Sequence, residues 1–477
     1  MARFVYSVSS YGGSVLLHHL RSVLPQSPAR LYLFFASLMA LSCVLLIPPG
    51  QMPDERNHFA RVTQISEGGI VGIKNGPNES GGYLPQGFPQ EPELLDALRF
   101  HPEAKVNLAQ LEALSARHWT NRRGWASFGN TSIYAPVTYM PAALVTFVAR
   151  HTRAGIIQTL YAVHVVNALL TIVLCGLGIA LARRGRFYLL ILSSLPMVMG
   201  LAASSSQDGV LFGLAVLTAS LLTRLSPEEP GSNRFWIGVG FVFAVLTISK
   251  PPLLLCSLIP LGLGYSKRRL VLGAPFVMSL FGFLLWQHFG LDPAKVQFLE
   301  GSGVSDRGQI HWVITHPLAL PGLAYRTLQT HLMHLVREFI GVLGWLDTMM
   351  PQFFYRTVYL GMLCCMALGA YGALRSREQR QTLAGTLITL TAILLAVGAV
   401  FFSLYVIWTP VGAPVIDGVQ GRYFLPIAPF LAVAFPAAAS NRLEKRSRGH
   451  MALMVVLAAF LTLDLVVLST TLATRYW

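Results

Sequence analysis

The sequence is short of charge. Only 12% of its 477 residues are Asp, Glu, Lys or Arg, about half the roughly 25% usual in soluble domains. Acid is scarcer than base, 21 residues against 36, which leaves a net charge of +15. Cysteine is also sparse. Cys43, Cys175, Cys256, Cys364 and Cys365 all lie inside or against apolar runs, and none has metal-ligand spacing in a loop. This argues against a disulfide framework or a zinc site. No Gly-x-Gly-x-x-Gly follows a strand, and there is no Walker-type loop and no Gly-x-Ser-x-Gly, so nucleotide-driven chemistry has no support. No internal repeat, low-complexity tract or soluble domain interrupts the chain.

What the sequence has is apolar length. Hydrophobic residues make up 53% of the chain and the mean hydropathy is +0.55. Many runs approach the ~20 residues that a helix needs to cross ~30 Å of hydrocarbon. The expectation is an all-α polytopic membrane protein. The basic residues fall in short clusters between these runs, where the positive-inside rule puts them; they report topology and not nucleic-acid binding.

Threading the chain by this rule gives about eleven spans. Residues 1–30, with Arg3, Arg21 and Arg30, form a cytoplasmic N-terminal segment. Span 1 covers about 31–47 and stops at Pro48-Pro49-Gly50, which cannot continue a helix. A long first outer loop follows, about 49–132, with amphipathic helical spacing between Glu91 and Ser115. The stretch 134–148 is apolar but short and holds Pro136 and Pro141. Read as an interfacial helix, it leaves Arg183-Arg184-Gly185-Arg186 inside; read as a span, it puts that cluster outside. The first reading also accommodates every later cluster.

The remaining spans are then about 160–182, 187–203, 209–222, 235–249, 253–265 and 270–289, a second long outer loop over 290–353, and C-terminal spans at about 354–374, 383–408, 423–439 and 451–472. The domain scheme is thus 1–30 cytoplasmic, 31–289 a transmembrane module carrying the first loop, 290–353 the second outer loop, and 354–477 the C-terminal transmembrane helices.

With this topology the unusual polar residues gather on one side. Pro53-Asp54-Glu55-Arg56-Asn57-His58-Phe59-Ala60-Arg61 follows span 1. Adjacent carboxylates at the mouth of a span are costly unless they are paired or have work to do, and Asp54, His58 and Arg61 share a helical face. The alternative is a solvated helix start with an internal ion pair. Asp208, in Ser-Ser-Gln-Asp-Gly, is a second candidate acid or else the cap of the next helix. Lys250, in Lys250-Pro251-Pro252, is a cation in a short outer turn, suited to phosphate or to snorkelling. In Gly418-Val419-Gln420-Gly421-Arg422-Tyr423, two glycines allow close backbone approach to a ligand and Arg422 suits phosphate oxygens, with Gln420 and Tyr423 beside it. Trp345 and Asp347, in Gly344-Trp345-Leu346-Asp347-Thr348, suit a sugar ring, or an interfacial anchor. Asp464 is a lone acid inside the last span, as compatible with helix packing as with function.

These segments, with Tyr134-Ala135-Pro136 and Ser206-Gln207-Asp208, resemble the bacterial membrane family known as domain of unknown function 2142. The resemblance covers most of the chain, and Trp-Leu-Asp-Thr and Gln-Gly-Arg-Tyr are its most specific parts. The family in turn looks like a member of the GT-C class of polytopic glycosyltransferases. That likeness implies a GT-C-like bundle with two long outer loops containing amphipathic or interfacial helices, in the bacterial inner membrane with the N-terminus inside. It implies a polyprenyl-phosphate sugar donor, a glycan or lipid acceptor, and an active site on the outer face. The class places an essential acid just after span 1, here Asp54 with Glu55 beside it, and often a second at the outer end of span 3, here Asp208.

On this reading Asp54 is the base, Lys250, Arg422 and Gln420 bind the donor phosphate, and His58, Arg61, Trp345, Asp347 and Tyr423 bind substrate. A divalent ion, Mg or Mn, held by Asp54, His58 and Asp208 is a further expectation. The competing readings are a transporter or flippase of lipid-linked saccharides and a non-catalytic subunit of a polysaccharide assembly complex.

Overall fold

The structure is a computed structural model that describes residues 27–88, 95–226, 229–263, 269–296, 301–375, 382–435 and 448–477. The expected N-terminal cytoplasmic segment, save its last four residues, and the basic residues at 267–268, 377–380 and 442–446 lie outside these. The chain is an all-α polytopic membrane protein with a few short strands. Among the described residues five helices are long and apolar enough to cross a membrane: Pro28–Leu46, Ile156–Leu181, Val271–Ala294, Leu383–Ile407 and Met451–Tyr476. Three shorter apolar helices, Asp208–Leu222, Asn233–Ser249 and Pro251–Gly262, accompany them.

In three of the expected spans proline shortens or tightens the helix, because it lacks the N–H and clashes with the preceding turn. The expected span at 187–203 is two helices, α6 (Arg186–Ser194) and α7 (Pro196–Ala202), separated at Leu195 where ψ is 138°. The span expected at 253–265 begins as a 3-10 helix, Pro251–Leu258. The one expected at 423–439 starts as 3-10 turns over Gly421–Phe424 and Ala428–Phe430, with Pro426 and Pro429 in the chain.

In chain order the helices used below are α1 (Pro28–Leu46), α2 (Glu55–Ser66), α3 (Leu108–Ser115), α4 (Met140–His151), α5 (Ile156–Leu181), α6, α7, α8 (Asp208–Leu222), α9 (Asn233–Ser249), α10 (Ile259–Gly262), α11 (Arg269–Trp286), α12 (Asp306–Thr315), α13 (Leu320–Gly341), α14 (Gln352–Arg375), α15 (Thr382–Ile407) and α16 (Arg448–Tyr476). Helix α5 packs on α1 and α8, α1 on α16, and α9 on α11. One core cluster joins α1, α5, α6, α7 and α16; a second joins α8, α9, the Pro251–Leu258 turn and α15.

The first long loop is a small structured cap. Strands β1 (Ile73–Lys74), β2 (Ser80–Pro85) and β3 (Arg123–Ser127) form an antiparallel sheet against α2. The strands approach so closely that a Cβ on Gly81 would lie 2.0 Å from the Ala126 carbonyl oxygen. Helix α4 has 12 residues, about 18 Å at 1.5 Å per residue, too short to cross hydrocarbon alone. It packs small residues inward (Ala142, Ala143, Thr146, Ala149) and turns Met140, Leu144, Phe147 and Val148 outward, the pattern of a helix lying against lipid. The amphipathic stretch at 91–115 is helical at α3, with a 3-10 turn at Asp96–Leu98; residues 89–94 lie outside the described chain. The second long loop holds α12 and α13; α13 buries Leu323, Thr327, Leu335 and Ile340 as an amphipathic helix does, whereas α12 buries Gln309 and leaves Ile310 and Ile314 exposed.

Candidate functional site

The turn between α1 and α2 is where the site begins. After Pro48-Pro49, Gly50 takes φ +80° and Asp54 takes φ +60°, a left-handed conformation that Asp accepts better than most residues. The Asp54 side chain makes no cap bond to the helix it precedes. Its Oδ1 accepts a hydrogen bond from Asn130 Nδ2 at 2.9 Å, and its Oδ2 lies 3.0 Å from Arg422 Nη2. Asn57 Nδ2 donates to Asn130 Oδ1 at 2.7 Å, so α2 sets the partner as well as the acid.

Asp208 forms a second pair. It is the first residue of α8, with Gln207 in the N-cap position, and its Oδ1 lies 3.0 Å from Lys250 Nζ. Capping and snorkelling, the alternatives for these two residues, give way to a mutual ion pair. Tyr423 sits between the pairs, its ring centroid 5.4 Å from both Lys250 Nζ and the Arg422 guanidinium carbon, within cation–π range. Gln420 Oε1 accepts from Arg422 Nε at 2.7 Å and fixes the guanidinium plane.

These residues line a cavity of about 1000 Å³. Its apolar walls are Phe283 and Trp286 of α11 and Val400, Leu404 and Ile407 of α15, with Leu253 and Ile427 nearby. The Trp286 indole donates to the Ile133 carbonyl at 2.9 Å and ties α11 to the first loop. Toward another part of the cavity lie Lys74, Lys295 and Arg307, with Asp306 paired to Lys295. Asp54, Asp208, Lys250 and Arg422 all come from helix ends, so four of the charged residues grouped by the threading do meet at one end of the bundle.

His58 borders the cavity but is committed to its wall. Its Nδ1 lies 2.6 Å from the Tyr139 hydroxyl, and its ring stacks parallel to Tyr134 with centroids 6.2 Å apart. Burial lowers its pKa to about 4, although Asp208 and Asp54 oppose that shift, so the imidazole is neutral at pH 7.

Four of the expected site residues do not reach the cavity. Glu55, adjacent to Asp54, points the opposite way and is buried against His164 at 2.7 Å. Arg61 is fully buried, donates to the Tyr134 and Ile70 carbonyls and to Gln64, and so shapes the cavity wall rather than binding in it. Trp345 donates its indole N–H to the Gly50 carbonyl at 3.0 Å and carries Arg99 over its face at 3.7 Å. Asp347 pairs with Arg475 at 3.3 Å and accepts from the Phe100 backbone N–H. The two glycines before Arg422 also have a different reason from the one expected. A Cβ on Gly421 would lie 2.0 Å from the Leu335 carbonyl oxygen of α13, and one on Gly418 would lie 2.3 Å from Trp408. Protein, not ligand, occupies the space they leave.

Among the described residues no group of three His, Cys, Asp or Glu side chains is arranged to hold a metal ion. The expected set does not fit one: Asp54 and Asp208 are each neutralised by a cation, and His58 Nδ1 is taken by Tyr139. Asn130 and Tyr139 are the site residues that sequence reasoning missed, because an amide and a phenol in a loop carry no local signal of their partners.

The family model described as predicted membrane protein (DUF2142) matches residues 35–431. No curated protein and no solved structure matches the chain. The matched region spans most of the sequence and contains both ion pairs of the cavity, and the chain belongs to this family.

Proposed function

We propose that this member of the DUF2142 family is a GT-C-type membrane glycosyltransferase. It moves a sugar from a polyprenyl-phosphate donor to a glycan or lipid acceptor of the cell envelope, at the outer face of the bacterial inner membrane. One observation carries the reading: two acid–cation pairs line a cavity whose walls include helices apolar enough to cross a membrane. A lipid-linked phosphate needs that combination, because its chain must stay in hydrocarbon while its phosphate meets fixed positive charge.

In the proposed reaction the phosphate oxygens take Arg422 and Lys250, and the carboxylates they now neutralise are displaced. Asp54 Oδ2, released from Arg422, accepts the proton of the acceptor hydroxyl. The acceptor oxygen forms its bond to the anomeric carbon as the bond from that carbon to the phosphate oxygen breaks. The electron pair leaves with the polyprenyl phosphate, whose low basicity makes a strong general acid unnecessary. Asp208 and Asn130 orient the acceptor, and Gln420 holds the Arg422 plane. No metal enters this scheme.

The test is incubation of the purified full-length chain with a panel of polyprenyl-phosphate sugars and acceptor lipids, following donor consumption by mass spectrometry. Consumption by wild type and none by Asp54→Asn, with donor binding retained, is the expected result. Donor binding without consumption in every combination, together with donor movement across vesicles, would replace the transferase with a flippase.

A further inference from the structure

Asp54 and Glu55 are neighbours with opposite environments. The Asp54 side chain is 34% exposed in the cavity, whereas the Glu55 side chain is 1% exposed behind it. Burial of a second carboxylate at this point is costly unless its oxygens are fully engaged, and here they are. Oε2 accepts from the Gly50 backbone N–H at 2.9 Å. Oε1 lies 2.7 Å from His164 Nε2 of α5 and 3.3 Å from the Ser205 backbone nitrogen. The Ser205 hydroxyl returns a 2.9 Å bond to the Glu55 carbonyl. Gly50 is held from its other side by the Trp345 indole.

This arrangement spans the two segments that supply the cavity acids. Glu55 grips the turn that carries Asp54 in its left-handed conformation and the loop that ends three residues later at Asp208. A non-glycine residue at φ +60° persists where its surroundings over-determine it, and the Glu55 contacts provide that constraint. We infer that Glu55 and His164 are positioning residues: a buried clamp behind the cavity that sets Asp54 and Asp208 at a fixed separation for Arg422 and Lys250. The clamp also accounts for Trp345, which acts through Gly50 on the same turn.

The inference goes beyond the proposed activity and is tested without it. The purified full-length chain in detergent is treated with a water-soluble carbodiimide and glycine ethyl ester, and label at each carboxylate is read by tandem mass spectrometry. In wild type Asp54 takes label and Glu55 does not. In His164→Leu, Glu55 becomes labelled and Asp54 labelling changes by about tenfold, because the buried Glu55 Oε1 loses its 2.7 Å contact and the turn loses an anchor. Glu55→Ala produces the same change at Asp54, and Glu55→Gln, which retains an acceptor oxygen, restores most of the wild-type value. Folded His164→Leu and Glu55→Ala proteins with wild-type Asp54 labelling would overturn the inference. So would failure of both and of the milder Ser205→Ala to fold, because Glu55 would then be a folding element and not a positioning one. If labelling behaves as expected while no donor is consumed, the clamp stands and the transferase reading falls.

Discussion

Two Arg-Tyr dipeptides in this chain do the same local chemistry with different outcomes. Arg422 lies beside the Tyr423 ring and reaches Asp54 at 3.0 Å; Arg475 lies beside the Tyr476 ring and reaches Asp347 at 3.3 Å. In each case the acid comes from a distant loop. The difference is what surrounds the pair. Asp54 opens onto the large cavity, while Asp347 is closed in, with the Phe100 N–H and the Thr348 hydroxyl as its other partners, and Arg475 also donates from Nη1 to the Ala104 carbonyl and from Nη2 to the Leu98 carbonyl. The first pair has something left to offer a ligand; the second is a clasp between the C-terminus and two loops. An ion pair becomes a site only where a partner can be exchanged.

The comparison breaks most sharply at the acids. Asp54→Asn keeps the shape, the left-handed preference and a partner for Asn130, so its expected effect is loss of turnover by roughly 10²–10⁴-fold, the usual worth of a general base, with a smaller fall in unfolding temperature than a sealed pair gives, because Asp54 is partly exposed. Asp347→Asn should do the reverse. Removing one partner of a buried pair costs roughly 3–5 kcal/mol, so the unfolding temperature should fall while turnover per folded molecule stays near wild type. Equal loss of turnover in the two variants would erase the distinction.

Arg422→Ala comes next. It should weaken donor binding by about 1.5–3 kcal/mol, the value of a hydrogen bond to a charged group, and appear in KM or in direct binding of the lipid phosphate. Arg475→Ala should leave that affinity unchanged, so matched titrations of the two variants decide whether exposure is what separates them.

The smallest effect concerns pH. His58 has a folded-state pKa near 4 against 6.5 for the free side chain, so the unfolded chain binds more protons between those values. The stabilisation is complete above about pH 6.5 and is lost as pH falls toward 4, by up to about 1.4 kcal/mol per pH unit. Unfolding temperatures measured between pH 4 and 7 should therefore slope more steeply in wild type than in His58→Asn. Parallel curves would mean that His58 takes up its proton as readily in the fold as in the unfolded chain.

Asp54 and the turn around it were readable because their signals are local. Pro48-Pro49-Gly50 ends a helix whatever lies elsewhere, and two acids at a span boundary are conspicuous. Asp208, Lys250 and Arg422 were legible as odd residues at span ends, but not as pairs. Glu55 was assigned with Asp54 because adjacency in sequence suggests a shared role; the left-handed residue between the turn and α2 sends the two side chains to opposite sides. Trp345 and Asp347 looked like sugar ligands by type, and their engagement by Gly50 and Arg475 is visible only in three dimensions. Helix continuity was hidden for a related reason: apolar length was read without the backbone breaks at Pro196, Pro251 and Pro426, which leave short helices where the hydropathy is continuous.

What the sequence alone determined is the medium and the coarse order of this protein. Hydropathy and proline act over one to three turns of chain, so apolar runs, helix stops and basic clusters can be read in place, and they make it a polytopic membrane protein. What only the tertiary structure decided is which charges meet. Arg422 and Asp54 are 368 residues apart, and an ion pair depends on a few ångströms and on what else competes for each oxygen. That choice, made by packing and not by pattern, leaves Asp54 facing a cavity and Asp347 sealed in a clasp.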